Sequence, residues 1–317
     1  MATNDGRKIA FLFPGQGSQF LGMTKDFREQ DQEYAALMAM AEKASGLPLT
    51  SLCDEGPMAE LTRTLHLQPA MTVANLICHR ALVKGGVEPD FCCGHSLGEY
   101  GALCAAGVLS AEDTLRLVTE RGRLMEREAE AHPGAMRAVV KLGIEDVEEI
   151  IAQVREGVLC VANHNSGQQI VISGETGPVE EAARLVAERG GKAIPLKVSG
   201  PWHSELIGGA VADFSAAMAE VDFSAPTLPL FFNVTADTET DPAAIREIMA
   251  RQISSRVRWF ETVQRLMAEE VRVFIEVGPK NVLSGLLKKI IPGDYSYQCY
   301  QVDSPDSLGQ CLEGMAG

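Results

Sequence analysis

The chain has 317 residues, 46% of them hydrophobic and 22% charged, with a formal net charge of −15. That length buries a large core as one domain or a domain with an insertion, and the acidic balance argues against non-specific binding of nucleic acid. No apolar stretch is long enough to span a membrane, the run at 9–13 is too short for a signal segment, and eight cysteines without a C-x-x-C pair give neither a zinc site nor a disulfide framework, which points to a reducing, cytoplasmic setting.

Residues 8–13 read as a buried strand, broken by Pro14-Gly15-Gln16-Gly17-Ser18-Gln19. A dinucleotide fingerprint needs a third glycine where Phe20 stands, so that reading fails. The glycines instead allow close backbone approach, with the Gln16 N–H available to a reacting group. Residues 26–44 and 57–65 are expected to be helical, as are 68–83, where Lys84-Gly85-Gly86 stops the helix. Next, the apolar run Phe91-Cys92-Cys93 reaches Gly94-His95-Ser96-Leu97-Gly98, and small residues at 102–106 continue as a helix. This is the pattern of a nucleophile elbow, in which a strained strand-to-helix turn exposes Ser96 Oγ. The Leu97 N–H, at the helix start, then points toward a developing oxyanion. Chance matches to G-x-S-x-G arise in a chain with 30 glycines, but the flanking strand and helix favour the elbow.

Ser110-Ala111-Glu112-Asp113 opens a helix running to about residue 130, on which Arg121 and Met125 share a face. By composition alone Arg121 is one more solvated arginine beside Arg116, Arg123 and Arg127. Residues 136–199 change pattern, with strands at 136–142, 158–163, 169–173 and 192–198 and helices at 145–154 and 178–188. That β-α-β-β-α-β order is the ferredoxin-like unit. It interrupts an α/β pattern, so the expected organisation is a large unit over 1–130 and 200–317 with an inserted subdomain over 131–199. Strands follow at 228–234 and 271–277, with a helix over 243–268 broken near Ser254-Ser255; beyond Pro292 no pattern is legible.

A serine nucleophile needs a base. Of the six histidines, His66 and His79 fall in helices, His132 adjoins Pro133, and His95 sits inside the elbow facing away from Ser96. His203, where the chain re-enters the large unit, leads His164 modestly. Asp113 and Asp146 are available as a triad acid, but neither sits on a clear strand-end loop.

Taken together, Pro14–Gln19, Gln68-Pro69-Ala70, Gly94-His95-Ser96-Leu97-Gly98-Glu99-Tyr100, Arg121-Gly122, Pro201-Trp202-His203-Ser204, Arg251-Gln252 and Glu276-Val277-Gly278-Pro279 carry a resemblance. In their order and spacing the chain resembles, almost end to end, the malonyl-CoA:acyl carrier protein transacylases of fatty-acid synthesis and the related acyltransferase domains of polyketide synthases. The resemblance implies an α/β-hydrolase-like large domain carrying the ferredoxin-like insertion. It implies Ser96 as nucleophile, His203 as base and the backbone carbonyl of Gln252 in place of a triad acid. The N–H groups of Gln16 and Leu97 would form the oxyanion hole. Arg121 would hold the malonyl carboxylate by a bidentate pair, with Met125, Trp202 and Asn163 beside the acyl group.

The implied reaction is ping-pong. Malonyl-CoA is the donor, malonyl-Ser96 the intermediate and the phosphopantetheine thiol of acyl carrier protein the acceptor, with no resident cofactor or metal. A monomer is expected. Trp202, next to the base, is expected to crowd out branched malonyl units. Lys280, Lys288 and Lys289, with Arg189 and Lys192 on the insertion, are candidates for docking an acidic carrier. Departures from the family pattern fall at Gly167, after Ser166, where a proline is usual, at Lys280-Asn281, and at the aromatic Phe231-Phe232-Asn233. The alternatives are an acyltransferase serving polyketide carriers, a serine thioesterase or esterase, and a non-catalytic carrier-binding protein.

Overall fold

The computed structural model describes residues 6–316. In chain order the strands are β1 (Lys8–Phe13), β2 (Phe91–Gly94), β3 (Ala135–Val140), β4 (Leu159–Ser166), β5 (Gln169–Gly174), β6 (Lys192–Pro195), β7 (Leu230–Phe231), β8 (Val271–Val277) and β9 (Gln298–Val302). They form two sheets. One is parallel, in the order β7-β2-β1-β8-β9; the other is antiparallel, in the order β4-β5-β3-β6.

The parallel sheet is covered on both faces, which is why β1 reads as an unbroken apolar run. Ile9, Phe11 and Phe13 pack with the helices Thr64–Lys84 and Ala111–Ala131. Ala10 and Leu12 face the other way, toward Trp259, Leu283 and Leu287. In the antiparallel sheet, Val139, Ile170 and Ile172 meet the helices Ile144–Gln153 and Thr176–Glu188. Alternate residues Met136, Ala138 and Val171 turn to the opposite face and line a cavity against the parallel sheet's loops. Val257 ties the two sheets' surroundings together, donating to Ala162 O at 2.8 Å and accepting from His164 N–H at 2.9 Å.

Several boundaries differ from expectation. The helix expected over 26–44 is two, Lys25–Gln30 and Gln32–Ser45, because the Asp31 carboxylate accepts from Glu33 N–H at 2.9 Å and caps the second. The segment 57–65 yields only the short helix Met58–Leu61, and the next helix starts at Thr64. The strand expected over 228–234 keeps two residues as β7, since the chain then turns and Asn233 serves the elbow. Beyond Pro292 come β9, a half-buried edge strand without an apolar pattern, and the helix Pro305–Ala316. Among the described residues no helix is long and apolar enough to cross a membrane.

β1 and β2 are neighbours in register, Phe13 opposite Gly94. Their C-terminal ends therefore bring the Pro14–Gln19 loop and the Ser96 turn together at the middle of the sheet, where an open α/β sheet places its ligands.

Candidate active site

The turn after β2 is set by sterics. A Cβ on Gly98 would lie 1.9 Å from Phe13 O, and one on Gly94 would lie 2.1 Å from Gly98 C, so neither position admits a side chain. Between them Ser96 adopts φ +50°, a left-handed conformation uncommon outside glycine. Two side chains hold it there: Ser96 N–H donates to Asn233 Oδ1 at 2.7 Å, and Ser96 O accepts from Gln252 Nε2 at 2.8 Å. Leu97 then begins the helix Gly98–Ala105.

Ser96 Oγ lies 2.7 Å from His203 Nε2. On the other side of the ring, Nδ1 faces two carbonyl oxygens, Gln252 O at 3.2 Å and Ser255 O at 3.0 Å. Carbonyls only accept, so this arrangement assigns the proton to Nδ1 and leaves Nε2 free to receive the serine proton. Gln252 O belongs to the last residue of the helix Pro242–Gln252, where the final C=O groups lack intrahelical partners, and Ser255 O to the turn that follows it. The break at Ser254-Ser255 was legible, but its use of Ser255 was not. Burial pushes the His203 pKa down to about 3, with help from the Arg121 charge and His95 and against the two carbonyl bonds. His203 is thus neutral, a base at rest.

The N–H groups of Gln16 and Leu97 donate to no protein acceptor among the described residues, and both residues line the cavity. Their loops touch: a Cβ on Gly15 would lie 3.5 Å from Leu97 N. Asn75 Nδ2 donates to Pro14 O at 2.9 Å and fixes the Gln16 loop from below.

Arg121 is not solvated; it is 1% exposed. Its Nη1 donates to Gln68 Oε1 at 3.0 Å and its Nη2 to Gln252 Oε1 at 2.9 Å, with Ser96 Oγ 3.4 Å from Nη2. The Tyr100 ring centre lies 5.6 Å from the guanidinium carbon. No carboxylate pairs with it among the described residues. Each terminal nitrogen has two N–H bonds and gives one to an amide oxygen, so the charge is solvated by neutral groups but not neutralised.

A cavity of about 290 Å³ joins these groups. It brings together Ser96, Leu97, His203, Gln16, Arg121, Met125, Trp202 and Asn163; of the residues expected to serve catalysis, the oxyanion hole or the acyl group, only Gln252 stands behind it. Trp202 is buried, with its ring against Gly200. Met125 Sδ accepts from Gln68 Nε2 at 3.0 Å. His95 also lines the cavity, its Nε2 held by Asn165 Oδ1 at 2.8 Å. His164 is elsewhere, buried on β4 with Nδ1 3.1 Å from Glu261. Asp113 caps a helix with Ser110, and Asp146 lies beside Arg189, so neither serves His203. Sequence reasoning missed the roles of Glu99, Asn233, Gln68 and Ser255.

An elbow serine, a neutral histidine base, two free N–H donors and an unneutralised guanidinium define a serine acyl-transfer site with a hold for an anion. The chain belongs to the acyl transferase domain family, whose profile matches residues 10–293. It is 43% identical over 286 residues to the malonyl CoA-acyl carrier protein transacylase of Bacillus subtilis strain 168, covering 89% of this chain and 90% of that one. With the enzyme of the same name from Escherichia coli K12 it shares 36% over 309 residues, covering 96% and 99%. Among solved structures, an acyl carrier protein S-malonyltransferase from Vibrio cholerae superposes with a TM-score of 0.91 at 38% identity, covering 96% and 99%. A malonyl-transacylase in complex with its type II polyketide acyl-carrier protein superposes with a TM-score of 0.91 at 35% identity, covering 97% and 99%.

The base assignment has a pH signature. A fluorophosphonate probe of Ser96 should label at an undiminished rate through pH ~6.5, where an unperturbed histidine is half protonated, with its acid limb at lower pH. Arg121→Ala removes a charge that depresses His203 and should move that limb upward. The same depression sets a stability term with a definite sign: neutral His203 stabilises the fold above its unfolded pKa, and that contribution is lost as pH falls toward about 3. Labelling with a limb near pH ~6.5 in both proteins would contradict the assignment.

Proposed function

We propose that this chain transfers the malonyl group from malonyl-CoA to the phosphopantetheine thiol of acyl carrier protein through a malonyl-Ser96 ester. The observation that carries this reading is the buried Arg121 guanidinium, 3.4 Å from Ser96 Oγ and without a carboxylate partner among the described residues. A charge in that state favours an acyl group with its own free carboxylate, close to the carbonyl under attack. The neutral acetyl group would leave it unpaired.

Ser96 Oγ attacks the thioester carbonyl as His203 Nε2 takes its proton, and the oxyanion forms against the Gln16 and Leu97 N–H groups. Collapse expels the CoA thiolate, which takes the proton from His203, and leaves malonyl-Ser96. The carrier's pantetheine thiol then gives its proton to His203 Nε2 and attacks the ester carbonyl, and Ser96 regains a proton from His203 as it leaves. The Gln252 and Ser255 carbonyls hold the ring and favour the imidazolium formed in each half.

Residues 1–130 and 200–317 are read as an α/β-hydrolase-like domain, with 131–199 a ferredoxin-like insertion; the antiparallel order β4-β5-β3-β6 supports the latter. All eight cysteines are free thiols, which supports the cytoplasmic placement. For carrier docking, Lys280, Lys288 and Lys289 flank or lie on the helix Val282–Ile290, whose Val282 and Leu286 line the cavity. Arg189 is committed to Asp146 and Glu149 and fits this role less well.

Intact mass after brief incubation with malonyl-CoA tests the reaction. A malonyl adduct on wild type, absent from Ser96→Ala and discharged by carrier faster than by water, is expected; rapid loss to water indicates a hydrolase instead. Arg121→Ala should lower the malonyl over acetyl preference by about 10- to 100-fold, the scale of a buried polar group left unpaired. Trp202 is read as the wall beside the acyl α-carbon, so wild type should use methylmalonyl-CoA poorly and Trp202→Ala should improve it about tenfold; equal use by wild type rules this role out. Lys288→Glu with Lys289→Glu should raise KM for the carrier several-fold and leave that for malonyl-CoA unchanged, whereas equal effects on both would remove these lysines from the docking surface.

A further inference from the structure

Gln252 stands where the parts of the site meet. Its Nε2 gives one hydrogen to Ser96 O at 2.8 Å and the other to Glu99 Oε2 at 2.9 Å, which leaves its Oε1 facing Arg121 Nη2 at 2.9 Å. The second oxygen of Glu99 accepts from Asn233 N–H at 2.8 Å. Glu99 is fully buried and lies beyond the cavity lining. A side-chain amide can turn over unless its partners distinguish oxygen from nitrogen, and here they do: Ser96 O and, when ionised, Glu99 only accept, while Arg121 only donates. Turned over, Gln252 would set oxygen against oxygen on one side and NH2 against a guanidinium on the other.

We propose that Glu99 is a positioning residue for malonyl selectivity: by fixing the orientation of the Gln252 amide, it holds the Arg121 guanidinium beside Ser96 Oγ without touching the substrate. This rests on the reading that Arg121 receives the malonyl carboxylate. A carboxylate suits position 99 because two donors, Gln252 Nε2 and Asn233 N, converge on it. Glutamine would offer one acceptor oxygen and would turn NH2 toward the other donor. The two arms of Glu99 differ in what they support. Asn233 leads to the elbow, accepting from Ser96 N–H and donating to Gly94 O at 2.6 Å. Damage there affects every acyl donor alike. The Gln252 arm leads both to Ser96 O and to Arg121: damage at Ser96 falls on every donor alike and cancels in a ratio of donors, whereas damage at Arg121 falls on malonyl donors in particular.

The test is the ratio of single-turnover acylation rates with malonyl-CoA and acetyl-CoA, read by intact mass. Glu99→Gln should lower that ratio about tenfold, the scale of one hydrogen bond to a charged group, whereas Asn233→Ala should lower both rates together and keep the ratio. An unchanged ratio in Glu99→Gln overturns the proposal; a wild type with no malonyl preference overturns the functional reading beneath it. Should Glu99→Gln not fold, wild type answers the same question between pH ~8 and ~6. Burial holds the Glu99 pKa up at about 7, against its bonds from Asn233 and Gln252 and the Arg121 charge, and protonation turns its acceptor into a donor. The titratable and charged groups facing it are Arg121, Tyr100 from its own helix and Cys93 from β2; burial raises Tyr100 and Cys93 above their ordinary values, out of this window. His203 serves both donors equally. The ratio should therefore fall as the pH drops, and a flat ratio overturns the proposal.

Discussion

The site depends on one uncompensated charge. Removing a guanidinium from water carries a penalty of several kcal/mol even after relaxation, and among the described residues no carboxylate pairs directly with Arg121; Glu99 acts on it only from behind the Gln252 amide. What it has is a coordination shell of amides: Gln68 from the helix Thr64–Lys84, Gln252 from the helix Pro242–Gln252, and the face of Tyr100. The helices must come close for that shell to form. Gly122, next to Arg121, allows it, since a Cβ there would lie 3.0 Å from Thr64 O and 3.4 Å from the Gln68 Cβ. Folding thus leaves the guanidinium buried among neutral partners and electrostatically unfinished, and in the proposed function an anionic acyl group completes it.

How far the sequence reveals such a site depends on whether the constraint is local. The elbow is legible because Gly94 and Gly98 answer clashes within a few residues of Ser96 and against the adjacent strand. His203 was reachable through topology, being where the chain returns to the large unit. Glu99 and Asn233, 134 positions apart, and Glu99 and Gln252, 153 apart, meet only through the fold, and nothing in either neighbourhood marks the pairing. Arg121 defeats composition for the same reason. It stands among surface arginines in the chain but on the inner face of its helix, with Leu117, Leu124 and Met125. The secondary-structure differences follow suit: β9 is a strand because β8 supplies its hydrogen bonds, not because its own residues alternate.

The two sheets divide the work. Ser96, Gln16 and Arg121 come from the loops of the parallel sheet and its helices, and His203 from the segment that leads from β6 back to the large unit. The antiparallel sheet adds an apolar wall of Met136, Ala138 and Val171 and a row of amides, Asn163 and Asn165. Because side chains alternate along each strand, β3 and β5 can face both their own covering helices and the cavity. This small unit builds its own core and closes a cleft in a single layer.

The absence of a carboxylate behind His203, among the described residues, follows from the same charge. A histidine base is commonly oriented by an aspartate, which also stabilises the imidazolium. Here the orienting groups are the carbonyls of Gln252 and Ser255, and the side chain of that same Gln252 touches Arg121. An aspartate in their place would add a second full negative charge near the guanidinium, beside that of Glu99, and at low dielectric would weaken its pull on an anion. Backbone carbonyls avoid this: each is a dipole with a partial charge, so they orient the ring and favour its protonation while leaving Arg121 without a direct counter-ion. Their weaker pull also fits the low His203 pKa, which burial and Arg121 dominate. The histidine that results is neutral and weakly basic, and in the proposed reaction it receives a proton only as negative charge develops on the oxyanion beside it.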